Sequence, residues 1–481
     1  MTKRAALTRL SLAAFAVALH APTISRAQTL PERYRATTDR IIAAALSDSA
    51  AYNRIALLTD KFGHRLSGSA SLEYALDWII AEMTRDGLQN VRGEPVMVPR
   101  WVRGRESATL NPTQMSDYLP PGIDATHGRF ADPLPLHMLG LGGSIGTPEG
   151  GITASVLVVT SFDDLADKAD QARGKIVLFD VPFTNYGATV QYRSRGAIEA
   201  GKVGAVAALI RSVASNSMQN PHTGAMRYDS TVTQIPAAAL SVEDAAMLHR
   251  MYDRGDPVVV NLRMEAKTWP DARSRNVIAE LVGSEKPEEI VVLGGHIDSW
   301  DVGQGAMDDA GGSVAAWEAV RLLKQLGLRP RRTLRVVLWT NEENGLRGAN
   351  AYRDAHAAEM PNHVLAMESD GGVFAPEGFS FDGSSEALPA VAAIVSLLQP
   401  LGANEVAPGG AGADVGPLTA LGVPGLGLQV DGTRYFWYHH SEADTMDKLD
   451  PREVAQCVAA MAVMAYVIAD MPETLPRRAP R

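Results

Sequence analysis

The stretch EIVVLGGHIDSWDVGQGAMDDAGG at residues 289–312 decides the fold of this chain. Its apolar start is typical of a buried strand, and the residues after Gly312 have helical spacing. One histidine and four aspartates lie between the two patterns. Carboxylates gathered beside an imidazole at a strand end indicate either a solvated loop or a metal site, and the rest of the chain has to decide between them.

Strand-like and helix-like segments alternate on both sides of this stretch. The strand candidates are residues 277–283, 289–295, 333–340, 363–369 and 423–430. The helix candidates are residues 312–326, 345–357, 387–398 and 451–470. Near-continuous apolar strands alternating with amphipathic helices predict an α/β fold with a mostly parallel sheet, covered by helices on both faces. In such sheets, ligands bind beyond the carboxyl ends of the strands.

The region before residue 265 has a different character. Residues 120–151 are rich in Pro and Gly, which indicates a boundary. Short β-rich runs separated by helix-like stretches follow up to residue 265, without any cluster of histidines and carboxylates. We therefore expect a compact α+β insert that contributes shape rather than chemistry.

The N-terminus has the layout of a secretory signal peptide. Lys3, Arg4 and Arg9 precede an apolar run from residue 10 to 19, which is too short to span a bilayer, and cleavage is expected after Ala27. Cleavage removes four basic residues and no acid, so the formal charge changes from -10 to -14. We expect an exported protein, periplasmic or secreted, that neither binds nucleic acid nor inserts into a membrane. A single cysteine excludes an intrachain disulfide.

Four strand candidates are followed by potential metal ligands. His296 follows the second, the Glu342-Glu343 pair the third and Asp370 the fourth, and His440 comes after the last. A random scatter of surface charge would rarely produce this arrangement. Mixed imidazole and carboxylate ligands without cysteine suit Zn²⁺ best, with Co²⁺ or Mn²⁺ as substitutes. The chemistry indicated is metal-assisted hydrolysis, in which one carboxylate is shared between two ions.

These motifs resemble those of the M28 family of di-zinc peptidases. The ordered elements are His-x-Asp, GAMDDAGG, EENGLRGA, ESDGG and HHSxxDT, and within the family they are most similar to the carboxypeptidase Q-like group. The resemblance implies a zinc exopeptidase fold with an inserted protease-associated domain. The domains expected from it are a signal peptide at 1–27, the N-terminal part of the peptidase domain at 28–132, the insert at 133–264 and the zinc peptidase catalytic domain at 265–475.

The resemblance also implies a role for each ligand candidate. Two zinc ions are expected, one bound by His296 and Asp370 and the other by Glu343 and His440, with Asp308 bridging them. His439 is an alternative to His440 as ligand.

Four further residues match positions beside the family's ligands. Glu342 would be the general base that accepts the proton of a metal-activated water. Asp298 would hydrogen-bond the imidazole of His296 through its carboxylate. His439 would stabilise the oxyanion. Asp309 lies where the family has a cis peptide bond.

Two other groups of residues carry weaker expectations. Asp414 belongs to a glycine-rich loop at 407–418 that forms part of the substrate pocket in relatives. His356 and His363 are expected at the surface.

The function implied is a secreted di-zinc exopeptidase acting on dipeptides or short peptides, as a homodimer. Preference for the amino or the carboxyl terminus is open. One alternative is an M20-like amidohydrolase or carboxypeptidase, although its lid domain would follow the Glu-Glu pair, where only 26 residues separate Glu343 from Asp370. Another is a non-catalytic binding module.

Overall fold

The computed structural model describes residues 28–112 and 132–481, so the expected signal peptide lies outside the described residues. The helices are α1 Leu30–Leu46, α2 Ala50–Phe62, α3 Ala70–Arg85, α4 Phe162–Asp167, α5 Ala169–Ala172, α6 Tyr186–Lys202, α7 Val242–Asp253, α8 Gly312–Gln325, α9 Arg347–Ala355, α10 Leu388–Val395, α11 Gly416–Thr419, α12 Tyr435–Tyr438 and α13 Pro451–Asp470. The strands are β1 Gln89–Val102, β2 Glu106–Leu110, β3 Leu134–Leu136, β4 Met138–Gly140, β5 Ile152–Val159, β6 Ile176–Phe179, β7 Ala207–Arg211, β8 Ala237–Leu240, β9 Val259–Met264, β10 Lys267–Leu281, β11 Lys286–His296, β12 Arg332–Trp339, β13 His363–Glu368, β14 Pro376–Asp382, β15 Glu405–Pro408 and β16 Gly425–Val430.

The first sheet has eight strands in the order β1-β10-β12-β11-β13-β16-β14-β15. Its centre is parallel, since β12, β11, β13 and β16 run in the same direction. The strand predicted at 277–283 belongs to β10, which instead pairs antiparallel with β12. The carboxyl ends of the four central parallel strands therefore meet at one edge.

Helices cover both faces of this sheet, as predicted. Val291 and Leu293 of β11 point into a core shared with α1, α2, α3, α8 and α13. Val292, between them, points into a second core shared with α9 and α11. Because successive side chains of a strand point to opposite faces, a strand buried on both sides needs the continuous apolar run seen in the sequence.

Helix α13 is long and apolar enough to cross a membrane by length and composition, but 83% of its apolar window is buried within the structure. Its residues pack in the core with α1 and α8. This burial is typical of the core helix of a folded domain.

A second eight-stranded sheet, in the order β3-β2-β9-β5-β6-β7-β8-β4, forms the upstream region. Strands β5 to β8 are parallel, and α6 and α7 pack against them. Strand β2 pairs with both β3 and β9, so this sheet begins upstream of the boundary expected at residue 133. We call this unit the insert, because β1 and β10 of the first sheet flank it in the chain.

Candidate metal centre

The carboxyl edge of the first sheet brings the five ligand candidates together. His296 is the last residue of β11, Glu343 and Asp370 follow β12 and β13, and His440 lies in the turn after α12. Asp308 reaches the cluster from the loop before α8. Four of the five side chains are buried, and Asp370 is partly exposed.

One part of the cluster, which we call the sheet half, consists of His296 and Asp370. The Nε2 atom of His296 lies 3.1 Å from Oδ1 of Asp370 and 3.1 Å from Oδ1 of Asp308. The backbone N–H of His296 donates to Asp309, and its carbonyl accepts from Ser313. The end of β11 in the sheet half is thus fixed by the turn and helix that follow it.

The other part, which we call the insert half, consists of Glu343 and His440. Oε2 of Glu343 lies 2.9 Å from Nε2 of His440, which is 3.4 Å from Oδ2 of Asp308. The two oxygens of Asp308 therefore face different halves. This is the arrangement that a bridging carboxylate requires.

His439 lies beside the cluster rather than within it. Its ring stacks on His440 with centroids 3.5 Å apart, and its Nε2 is 3.7 Å from Oδ2 of Asp308. No ion pair joins it to Glu343 among the described residues. The geometry therefore favours His440 over His439 as the partner of Glu343, although both belong to a group that could hold a metal ion.

Asp298 holds its neighbours differently from what the resemblance implies. Nδ1–H of His296 donates to the backbone carbonyl of Asp298 at 2.9 Å, whereas the Asp298 carboxylate is 3.9 Å from that nitrogen. The carboxylate accepts instead from the backbone N–H of Glu342 and the hydroxyl of Ser67. The expected imidazole–carboxylate bond is therefore wrong, because the Nδ1–H of His296 is already used by the backbone carbonyl of Asp298.

The loop that carries Asp308 is fixed by two other aspartates. The Asp309 carboxylate accepts from the N–H groups of His296 and Gly312, one at each oxygen, and the peptide bond before it is cis as the resemblance implies. Asp444 accepts from the backbone N–H groups of Ala306, Met307 and Asp308. The sequence motif contained Asp444, but nothing in its spacing indicated this role.

Arg65 also supports the site, although no sequence pattern predicted it. This fully buried arginine donates to the carbonyls of Gly63, Ile297, Gln304 and Gly305. Burial lowers its pKa to about 10, against the opposing charge of Asp444. These hydrogen bonds connect the segment between α2 and α3 to the loop between His296 and Asp308.

The insert contributes side chains to the site, contrary to the expectation that it supplies shape alone. Arg193 of α6 places Nη1 3.3 Å from Nδ1 of His440. His222 Nδ1–H donates to the carbonyl of His439 at 2.6 Å, and Thr223 N–H donates to the carbonyl of His440. These residues are dispersed along the insert, so no local cluster in the sequence could reveal them.

A cavity of about 410 Å³ opens onto the cluster. Its walls combine Tyr186 and Arg193 of the insert with Glu342, Tyr435 and Phe436 of the unit that contains the first sheet. Its volume is within the range of small-molecule pockets. Asp414 itself is fully buried beside Glu368, and its neighbour Ala413 lines the cavity instead.

The cluster concentrates negative charge in a buried place. Burial, and then neighbouring charges, raise the pKa of Glu342 to about 8 and that of Glu343 well above its ordinary value. Burial opposes protonation of His296, but Asp370 and Asp308 outweigh it and raise its pKa well above the ordinary value. Burial and then the neighbouring His439 lower the pKa of His440. Burial and then the charge of Arg193 lower the pKa of His439.

These residues fit divalent metal ions. Ligand atoms of His296, Asp308 and Glu343 lie within 4.8 Å of one another, and so do those of His296, Asp309 and Asp370. Oε1 of Glu343 is buried without a hydrogen-bond partner. Unpaired buried carboxylates are costly unless cations neutralise them, and nitrogen with oxygen ligands suits zinc.

Comparisons with known proteins agree with this geometry. The model of peptidase family M28 matches residues 276–465. Carboxypeptidase Q of Mus musculus is 50% identical over 426 residues, covering 89% of this chain and 87% of that protein.

Two solved structures share the fold. A peptidase M28 precursor from Shewanella amazonensis SB2B superposes with a TM-score of 0.85 at 37% identity, covering 93% of this chain and 99% of that chain. A zinc aminopeptidase from Bacillus subtilis has a TM-score of 0.64 at 20% identity, covering 88% and 96%. The M20-like and non-catalytic alternatives find no support in these relatives. The chain therefore belongs to peptidase family M28, as a carboxypeptidase Q-like metallo-exopeptidase.

Proposed function

We propose that this protein is an exported exopeptidase that uses two zinc ions to hydrolyse dipeptides or short peptides, with Glu342 as general base. The observation that carries the proposal is the position of Asp308 between a His296–Asp370 pair and a Glu343–His440 pair. Paired ions at such a site polarise the scissile carbonyl and lower the pKa of coordinated water. Asp370, His296, Glu343 and His440 would be terminal ligands, and Asp308 would be shared.

Glu342 is placed to move the proton. It lines the cavity beside the ligands, and its backbone N–H is fixed by Asp298. Within the described part of the chain, no hydrogen bond occupies its carboxylate. Divalent cations nearby would lower the raised pKa of the Glu342 carboxyl towards neutral pH. Such a pKa suits a group that accepts a proton from water and returns it to the leaving amine.

His439 is proposed to assist as an oxyanion donor. Its Nδ1 is buried without a hydrogen-bond partner, and the ring borders the cavity. Its lowered pKa keeps it neutral, so one ring nitrogen can donate a hydrogen bond to negative charge that develops on the substrate.

Glu342→Gln tests the assignment with almost no change in shape. We expect kcat on a dipeptide panel to fall by about 100- to 10,000-fold, with about two zinc ions per chain in both proteins. The control is Glu442→Gln, an exposed residue in the loop that carries His440, which should be as active as the wild type. Near-wild-type turnover in Glu342→Gln would remove the residue from this role.

Export and dimerisation are proposed on the sequence alone. Mass spectrometry of the protein from its native host should find Gln28 as the first residue, and an intact Met1 terminus would contradict export.

Sedimentation should give twice the mass of one mature chain; a monomer at micromolar concentration would contradict the dimer.

A further inference from the structure

Arg193 is a buried arginine without a direct anionic partner among the described residues. Its side chain lies on α6 and is 6% exposed. Nη2 donates to the hydroxyl of Tyr186 at 2.8 Å and Nη1 to the carbonyl of Thr223 at 3.4 Å, while Nε has no partner. Within the described residues the guanidinium forms no ion pair.

Other buried arginines of this chain differ. Arg332 and Arg335 each pair with a glutamate, and Arg65 is surrounded by backbone carbonyls. Arg193 combines burial, an open donor and the absence of a carboxylate. Because a buried charge is costly unless it is paired, this combination points to an anion that arrives from outside.

The nearby ligand carboxylates do not supply that anion under the proposed function. Asp308, Glu343 and Asp370 face one another and the two histidines, and no ion pair joins any of them to Arg193 among the described residues. The guanidinium is then left without a direct anionic partner. A substrate that brings one negative charge would neutralise it.

The position of Arg193 fits one end of a short peptide. Its guanidinium and the Glu342 carboxylate line the same cavity. One imidazole ring, that of His440, separates the guanidinium from Glu343 and Asp308. The free carboxylate of a dipeptide lies one residue beyond its scissile carbonyl, and an extended residue spans about 3.5 Å.

We propose that Arg193, oriented by Tyr186, binds the free C-terminal carboxylate of the substrate and so gives the enzyme its selectivity for short peptides with a free carboxyl end. The inference rests on the proposed function and adds the group that recognises the substrate. It also gives the insert a role in specificity, since both residues belong to α6.

The chain leaves room for this arginine at Gly224. A Cβ atom there would lie 2.3 Å from Cζ of Arg193, and the backbone of Gly224 has a φ of 138°. Only glycine adopts this conformation readily. Gly224 and Tyr186 therefore act as positioning residues for the guanidinium.

Arg193→Met tests the inference with two substrates, a dipeptide and its C-terminal amide. We expect kcat/KM for the free acid to fall by about 100-fold or more and that for the amide by less than about 3-fold, because only the acid pairs with the guanidinium. Arg195→Met, on the exposed side of the same helix and paired with Glu199, is the matched control and should leave both values unchanged. Equal losses on acid and amide would overturn the inference.

Two further variants and a binding measurement guard against misfolding. Arg193→Lys should keep part of the preference for the acid, and Tyr186→Phe should raise KM for the acid by about 10-fold with kcat preserved. Calorimetry in the Glu342→Gln background should show that Arg193→Met weakens binding of the acid and not of the amide. If the wild type cleaves neither peptide, the proposed function fails, and the calorimetric comparison still decides whether Arg193 binds the carboxylate.

Discussion

The two halves of the candidate metal centre are supported by different parts of the molecule. We call the first sheet and the helices packed on it the catalytic unit, and the sheet itself the catalytic sheet. In the sheet half, His296 is bonded through its backbone N–H, its carbonyl and its Nδ1 to Asp309, Ser313 and Asp298 of this unit. In the insert half, His440 takes its backbone hydrogen bond from Thr223, and its ring lies against Arg193. The sheet half therefore depends on the catalytic unit alone. In the insert half Glu343 also follows a strand of the catalytic sheet, but His440 depends on the docking of the insert.

This difference separates two tasks. The sheet half lies at the carboxyl end of parallel strands, where the backbone is fixed by the core, so it can hold ligands without help. The insert half contacts the surface of the insert, and residues there can change without disturbing the catalytic sheet. We infer that residues at the edge of the catalytic sheet perform the chemistry and that residues of the insert select the substrate.

Loss of a ligand from either half should have the largest effect. His296→Ala and His440→Ala should each lower kcat/KM by at least about 1,000-fold and reduce the metal content from about two ions per chain to about one. Plasma mass spectrometry of the desalted proteins measures the metal. His64→Ala, an exposed histidine, is the control. Wild-type activity in either ligand variant would break the comparison.

The loop that carries Asp308 should depend on Asp444. Replacement by Ala leaves three buried backbone N–H groups without an acceptor. We expect the free energy of unfolding to fall by about 3 to 4 kcal/mol, measured by urea denaturation. Asp447→Ala, three residues further and exposed, should have little effect. A loss no greater in Asp444→Ala than in this control would show that the loop is held otherwise.

Acid should weaken the insert half through His222. Burial lowers the pKa of His222 to about 4. The unfolded chain takes up a proton near pH 6.5 and the folded chain does not, so stability that is present above pH 6.5 is lost as the pH falls towards 4. The loss is at most about 3 kcal/mol.

His222→Asn keeps a donor for the His439 carbonyl and cannot titrate. With metal removed from both proteins, the variant should lose less stability than the wild type between pH 7 and pH 4.5. The measurement is urea denaturation at the two pH values. Equal losses would exclude His222 as an acid-sensitive contact.

The smallest effect is expected at Ser67, which lies between α2 and α3 and contacts Asp298 behind the sheet half. Its hydroxyl donates to Asp298 and accepts from Asn341, so it helps to orient the backbone of Glu342. Ser67→Ala should cost about 1 kcal/mol of stability. Thermal denaturation measures it, with Ser71→Ala, whose hydroxyl is partly exposed, as the reference. A loss of stability larger than that caused by truncating a buried apolar side chain would contradict this limited role.

The sequence could predict the central strands and the ligand set because both have local signals. Strand β11 is a continuous apolar run, and each ligand candidate follows such a run directly or closes the loop after it. Strands β14 and β15 gave no comparable signal, since Pro376, Gly378 and Pro408 interrupt them. The direction of β10 was not predictable either, because its pairing depends on β1, almost 180 residues earlier in the chain.

Other features depend on contacts between distant residues. His356 and His363 were expected at the surface and are buried, because Tyr352 packs on the first and donates a hydrogen bond to the second. Arg193 reaches His440 across 247 residues of sequence. No pattern within α6 distinguishes Arg193 from the exposed Arg195, so only the fold reveals which of the two arginines faces the site.

The most direct test of the account is a metal titration of the chelated protein. Complete removal of metal should abolish dipeptide hydrolysis, and stepwise addition of Zn²⁺ should restore it until about two equivalents per chain are bound. A plateau at two equivalents is the result expected for two halves joined by Asp308. Full activity after complete chelation would contradict the account.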